Sequence, residues 1–362
     1  MNPNALSPSY HEYLRLGQIL TAQRPPDFES SDPGADRDLL HHEERLFIVM
    51  HQTMELWFSM ILADIEATRD LVGRPGEDDR MVPEEDIPRA CALMDRATKT
   101  IEHLTAQFGI IETMAPLHFL AFRDKLIPSS GFQSWQFREL EVLAGLPEQE
   151  RIEYEGKPYY AHMPEEWRSG LDRRRTEMTL REAVFEWLAR TPVEEAFPNF
   201  AEAFLAAYGD YIDEQNAHQN RNPNLSELRK KALAERFEQS KADAREFFLG
   251  GDLARQRAHQ AFVFIATYRH EPLLRWPYAV IEHALEFEEH FRLFRFRHAR
   301  MVERMIGLRV GSGGSAGVEY LDATASSYRI FGDLLKSVSY LIEARRLPEA
   351  PNAEILKFRR QD

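Results

Sequence analysis

Three stretches of the chain carry residue types and spacings that could do chemistry. The first is residues 41–58, HHEERLFIVMHQTMELWF. At helical spacing Phe47, His51, Glu55 and Phe58 share one face, with Leu46, Met50 and Trp57 on the adjoining stripe. An uncharged imidazole one turn from a phenyl ring suits the floor of an apolar pocket. A core histidine bonded to a neighbouring backbone would leave the same pattern, and this stretch alone does not separate the two. The second is residues 291–300, FRLFRFRHAR, where His298 follows Phe294 by one turn among Arg292, Arg295, Arg297 and Arg300. A haem needs one neutral imidazole for the iron, an apolar cavity and cations for its carboxylates, and these parts occur together here. An amphipathic helix with a basic face reads the same way. The third is Arg123, beside Phe119, Leu120 and Phe122 and shortly before a Ser-Ser-Gly turn. A guanidinium in apolar surroundings needs a partner, either a bidentate substrate carboxylate or an acid of the protein.

Other chemistries find no support. None of the thirteen histidines has Glu three residues before it, so the Glu-x-x-His pairs of a di-iron bundle are missing. The zincin pattern is missing too, because His11-Glu12, His42-Glu43 and His270-Glu271 lead to Arg15, Leu46 and Leu274. The glycine-rich run 311–317 follows a helix and lacks the lysine of a phosphate loop. Its small residues would let a ligand approach the backbone, and Ser312 adds a hydroxyl. The single cysteine, Cys91, rules out an intramolecular disulfide or a multi-thiolate metal site, and its apolar neighbours predict a packed thiol.

The elements that must position these groups read as helices throughout. Over 362 residues, 43% are hydrophobic and 29% charged, the balance of a globular protein. A formal net charge of −14 argues against a nucleic-acid or anionic-membrane partner. No signal peptide is legible, and no apolar run approaches the ~18 residues of a membrane span, so a cytoplasmic protein is expected.

Ser7 and Pro8 predict the start of a first helix carrying Tyr10, Tyr13, Leu14, Leu16, Ile19 and Leu20. Turn chemistry at Pro25-Pro26 and Asp32-Pro33-Gly34 separates it from a helix through 41–58 that continues to about Val72. A polar break at 73–86 precedes helices over 87–114, from Pro116, and over 132–143, with a small hairpin expected within 151–160. Helices resume at Thr179, where Thr179-x-x-Glu182 matches a capping box. The charged segments 199–217 and 224–249 predict a solvated antiparallel pair standing off the core. A more buried stretch at 258–268, a long helix over 278–308 and a closing helical segment over 328–344 complete the chain. The expectation is an all-α multi-helix bundle, in which residues 146–250 form a helical excursion between 1–145 and 251–362; if the 291–300 stretch holds a haem, the two flanking parts would be its domain.

In this order the pieces resemble the tryptophan 2,3-dioxygenase family of haem enzymes. The likeness is carried by Tyr10 and Tyr13, the 41–58 stretch, FRDKLIPSSGFQSWQFR at 122–138, RFRHARMVERMIG at 295–307, GSGGSAGVEYL at 311–321 and the closing YRIFGDLLKSVSYLI. It covers nearly the whole chain, though 146–249 matches only loosely.

The resemblance implies iron protoporphyrin IX (haem b) with His298 as the proximal ligand. It implies His51 as a distal histidine accepting a hydrogen bond from the indole N–H, Phe47 packed on the indole and Arg123 pairing the amino-acid carboxylate. Ser130 and Gly131 would belong to the turn beside substrate and haem. Tyr10 and Tyr13 would reach a neighbouring subunit's pocket in a homotetramer with exchanged N-terminal segments. The implied reaction opens the C2–C3 bond of L-tryptophan with O2, giving N-formylkynurenine, the opening of tryptophan catabolism by the kynurenine route. Two positions depart from the family pattern. Ser312 replaces a threonine, and Phe119 stands where some members have a tyrosine that touches the carboxylate. These departures leave open a related haem oxygenase acting on a substituted tryptophan, another indole or a phenol in specialised metabolism. A haem-binding sensor without turnover is a third reading.

Overall fold

The computed structural model describes residues 8–23, 37–73, 86–126, 131–152, 160, 163–311 and 317–357. Every regular element among the described residues is helical, as the sequence predicts. The N-terminal helix differs from its expected form. Ser9 caps it, accepting from the Glu12 backbone while the Glu12 side chain returns to the Ser9 backbone; the expected cap, Ser7, lies outside the described residues. After one turn, α1 (Tyr10–Tyr13), the chain passes through Arg15 at φ 50° before α2 (Leu16–Ile19). One helix becomes two single turns because a left-handed residue breaks the ladder.

The core is built on three long helices. α3 (Arg37–Gly73) and α4 (Ile87–Ile111) pack together, and α13 (Arg275–Ile306) also packs on α4. α3 turns Met50, Met54, Phe58, Ile61, Leu62 and Ile65 inward, at the spacing of one helical face. Burying each such side chain contributes roughly 1.5–3 kcal/mol. Cys91 sits in this core, and burial pushes its thiol up to about 11, so it packs as a neutral group.

α3 also departs from the expectation that no apolar run reaches membrane length, because an 18-residue window within its residues His42–Gly73 has a mean hydropathy of 1.4. Its inward face is the core of the bundle, while Val49, Leu56, Trp57 and Met60 lie exposed on its outer face.

Shorter helices close the space between α3 and α13. α5 (Pro116–Arg123) starts with proline at its first turn, as predicted, and packs on both long helices. α6 (Trp135–Ala144) starts three residues later than the apolar pattern suggested, because Ser134 is the residue that caps it. α7 (Glu165–Arg174) was not legible among its many charges. α8 (Leu180–Ala189) starts with the predicted capping box from Thr179 and packs on α3.

After the short α9 (Val193–Ala196), α10 (Phe200–Asn220) and α11 (Glu227–Leu249) pair with each other. Their near ends bury Phe200, Phe204, Phe247 and Phe248, and their far ends are solvated, which is the predicted pair. α12 (Leu253–Thr267) is buried from Ala258 onward and packs on α8. Past α13, α14 (Val318–Ser327) packs back on it, an element the sequence reading lacked. The expected helix over 328–344 shrinks to α15 (Gly332–Val338). A buried carboxylate accounts for the break, since Glu288 of α13 accepts the backbone N–H groups of Ile330 (2.7 Å) and Phe331 (3.0 Å). Of the expected 151–160 hairpin, residues 153–159 lie outside the described residues.

One buried ionic cluster ties these layers. The Glu141 carboxylate of α6 accepts from Arg138 (2.9 and 3.1 Å), from Arg151 (2.9 Å) and from Arg295 of α13. Glu141 is fully buried. Burial alone would make it a weaker acid, but the Arg138, Arg295 and Arg151 charges outweigh that and hold the carboxyl at about 2. The Arg295 guanidinium lies about 5 Å from the rings of Phe137, Phe291 and Tyr328, which shield it from water. Glu141→Ala should cost about 3–5 kcal/mol, since it strands guanidinium groups in the core. A fall in the urea midpoint at unchanged slope checks this. Because the folded carboxyl is the stronger acid, its contribution is fully present above about 4.5 and lost as pH falls toward 2.

Candidate active site

The three chemistry-bearing stretches meet at one cavity of about 280 Å³ between α3 and α13, closed by α5, α6 and α14. α3 contributes Phe47, His51, Glu55 and Phe58, the face read from the sequence, with Met50 of the adjoining stripe and Met54, whereas Leu46 and Trp57 of that stripe do not line it; α13 contributes Phe294, Arg295, His298, Met301, Val302 and Met305. Phe119 and Arg123 come from α5, Phe137 and Arg138 from α6, and Tyr320, Leu321 and Thr324 from α14. Gly131, Gly311 and Gly317 reach the lining. Ser130 and Ser312 lie outside the described residues.

His298 sits deep in this cavity. Its ring stacks on Phe108 at 5.6 Å and lies near Phe294 at 6.4 Å. Burial first, then the charges of His51, Arg295 and Arg138, lower its proton affinity to about 4. The imidazole is therefore neutral at physiological pH. Among the described residues it has no hydrogen-bond partner, so a nitrogen lone pair remains available to a metal. An unbonded neutral imidazole in an aromatic and methionine-lined cavity, with guanidinium groups at the wall, is a donor set that fits haem.

His51 faces the same space. Its Nδ1 lies 2.8 Å from the Phe47 carbonyl oxygen one turn back. A carbonyl only accepts, so Nδ1 carries the hydrogen and Nε2 is left as an acceptor. The residue is accessible where it lines the cavity. Protein otherwise surrounds it, and burial lowers its proton affinity against the opposing effects of the Phe47 carbonyl and Glu55. The core-histidine reading was right about the backbone bond, and that bond fixes the acceptor. The Phe47 ring lies 4.0 Å from His51 and belongs to an aromatic group with Phe119 (5.9 Å) and Phe122 (5.7 Å).

Arg123 is half-buried at the C-terminal end of α5 and lines the cavity. Among the described residues no acid of the protein pairs with it. Its guanidinium donates to the backbone carbonyl of Val310, next to the glycine-rich run.

Of the four arginines around His298, only Arg295 lines the cavity. Arg297 pairs with Glu112 at 2.5 Å, and Arg300 pairs with Glu303 and Asp322. Arg292 lies off the cavity with Arg329 and Glu288 for neighbours. Besides Arg123 and Arg295, a third guanidinium at the wall is Arg138, which sequence reasoning missed. Its signal was present in FQSWQFR, where an arginine three residues before Glu141 sits among apolar residues. Tyr320 was also missed, because its helix was not foreseen. Tyr10 and Tyr13 are remote from this cavity and 76% exposed.

The apoprotein offers a direct check on the neutral His298. Unfolding lets this histidine protonate near its ordinary value of 6.5, whereas the folded site resists protonation down to about 4. Stability should therefore decline as pH falls from about 6.5 toward 4. His298→Ala should flatten that part of the profile in cofactor-free thermal unfolding.

The family model for tryptophan 2,3-dioxygenase matches residues 3–341. A tryptophan 2,3-dioxygenase of Sorangium cellulosum is 35% identical, over 98% of this chain and 88% of the relative. One from Bdellovibrio bacteriovorus is 32% identical, over 95% and 96%. One from Dictyostelium discoideum is 31% identical, over 94% and 86%. With the match running through both cavity-bearing helices, α3 and α13, the chain belongs to the tryptophan 2,3-dioxygenase family.

Proposed function

We infer that this protein is a tryptophan 2,3-dioxygenase, opening the indole C2–C3 bond of L-tryptophan with O2 to give N-formylkynurenine. The observation that carries this reading is the pairing of His51 and His298 in one apolar cavity. One imidazole is restricted to accepting a hydrogen bond and the other is neutral and unbonded.

His298 would hold the iron of haem b, with Arg138 and Arg295 at the cavity wall as cationic neighbours of the porphyrin carboxylates. Haem, when bound, supplies the activation of O2. The protein's own groups bind and orient. Nε2 of His51 accepts the indole N–H, and the Phe47 ring packs beside it. The assigned partner of the amino-acid carboxylate is Arg123, whose planar fork has donors beyond the one given to Val310. Phe119 adds apolar surface and no hydroxyl, which leaves the carboxylate to Arg123. Ser312 and the turn at Ser130 and Gly131 are assigned to the substrate's charged end and the haem edge through the family motif. Fixing both ends of the substrate contributes through proximity and orientation. The apolar lining excludes water from the ring.

The working protein is proposed as a homotetramer with exchanged N-terminal segments. Two observations support this. Among the described residues, the hydrogen bonds that join the segment of α1 and α2 to the rest of the chain come just after α2, where Gln23 meets Gln52 (2.9 Å) and Gln52 meets the Ala22 carbonyl (3.0 Å), and Tyr10, Tyr13 and Leu20 are exposed. The outer face of α3 and Leu293 and Phe296 of α13 are exposed and apolar.

Reduced, haem-loaded protein given L-tryptophan and O2 should release a product heavier than tryptophan by two oxygen atoms. A product with one added oxygen, or none, overturns the reading. In the same preparation His298→Ala should lose the haem absorption band. Arg123→Ala should raise KM for L-tryptophan roughly 10- to 100-fold, the cost of one charged hydrogen-bonded partner. It should raise KM much less for tryptamine, which lacks the carboxylate; equal effects on both would remove Arg123 from its role.

A further inference from the structure

Glu55 has no part in the mechanism above, yet it lines the cavity one helical turn beyond His51 on the same face of α3. Its two carboxylate oxygens are held separately. One accepts from the Ser134 hydroxyl at 2.6 Å, and the other from the Gln136 side-chain amide at 2.8 Å. The same Gln136 amide donates to the Glu55 backbone carbonyl at 2.8 Å. Ser134 also accepts from the backbone N–H of Phe137, so one hydroxyl both caps α6 and grips α3. Among the described residues no lysine or arginine pairs with Glu55. The result is a carboxylate fixed by neutral donors, its charge facing a low-dielectric cavity. A cation-paired acid would be screened; this one is not.

Two consequences follow. The clasp sets the start of α6, and therefore where Phe137 and Arg138 stand across from His51. The charge also acts on the His51 ring. The other charged or titratable groups lining the same cavity are Arg123 from α5, Arg138 from α6, Arg295 and His298 from α13, and Tyr320 from α14. Glu55 is the acid among them, and it opposes the arginines.

We propose that Glu55 is a positioning residue for the reaction, holding α6 against the distal helix and strengthening Nε2 of His51 as the acceptor of the indole N–H. This rests on the assignment of His51 to the indole. A negative charge beside the imidazole draws electron density toward Nε2 and favours its protonated form. Removing the charge weakens the acceptor and shifts protonation of His51 to lower pH.

The test compares haem-loaded wild type, Glu55→Gln and Gln136→Ala on L-tryptophan and on 1-methyl-L-tryptophan, which has no N–H to donate. Glu55→Gln should keep the haem absorption band and lower kcat/KM for L-tryptophan several-fold. It should shift the acid limb of the pH profile down by roughly half to one unit. Its effect on the methylated substrate should be within about twofold, the scale of a change that leaves hydrogen bonding untouched. Gln136→Ala frees one carboxylate oxygen but keeps the charge, so it should raise KM without moving the acid limb. If Glu55→Gln does not fold, Glu55→Asp should show the same pattern as Gln136→Ala. An active wild type whose Glu55→Gln variant has an unmoved acid limb, or loses equally on both substrates, overturns the proposal. A wild type that forms no dioxygenated product refutes instead the reading beneath it.

Discussion

The cavity depends on the cost of burying charge. α6 and α13 carry adjoining walls, and what registers them is Glu141 of one accepting from Arg295 of the other, with Arg138 and Arg151 completing the cluster. Buried charges are stable only when each finds its partners in good geometry, so this contact tolerates little displacement. The aromatic rings around Arg295 reinforce that by keeping water away. His298 lies one turn from Arg295 on the same helix, so the depth at which its imidazole enters the cavity is fixed by the same pairing. Ordinary apolar packing along α3, α4 and α13 supplies stability, but slides more easily than an ionic cluster.

The face of α3 was legible because a helix has one period and its apolar residues keep to it. Phe47, His51, Glu55 and Phe58 line the cavity as the spacing placed them. His298 was legible as a residue, and the arginines around it were misread. Four at helical intervals looked equivalent, yet three point away because Glu112, Glu303, Asp322 and the Glu288 neighbourhood lie on other faces. Which arginine turns inward depends on acids far away in the chain, and one helix's spacing holds no record of those. Arg138 shows the converse: a cavity residue fixed by an acid three positions away, overlooked because neither alone departs from a solvated pair.

The boundaries missed share a physical origin. α15 is cut short and α14 separated from it because a buried carboxylate on α13 takes two backbone donors at the junction. The first helix breaks at a left-handed arginine that no glycine announces. α7 went unseen because charges dominate a helix that buries only Leu171 among its own residues. Local periodicity reports on one helix and solvent. These features come from contacts with a second element. The resemblance supplied roles that periodicity could not, and Ser130 and Ser312 still rest on it alone.

The bond from His51 to its own backbone has a consequence for what the pocket will refuse. With Nδ1 committed to the Phe47 carbonyl, the ring can receive a hydrogen bond but cannot offer one. A benzofuran or benzothiophene analogue has nearly the outline of an indole yet brings a lone pair where the N–H would be. It would meet Nε2 with like against like in a site too dry to screen them. With the indole assigned to His51 as proposed, selection at this point is by polarity, in one direction only, and it is written into the turn of α3 that precedes the histidine.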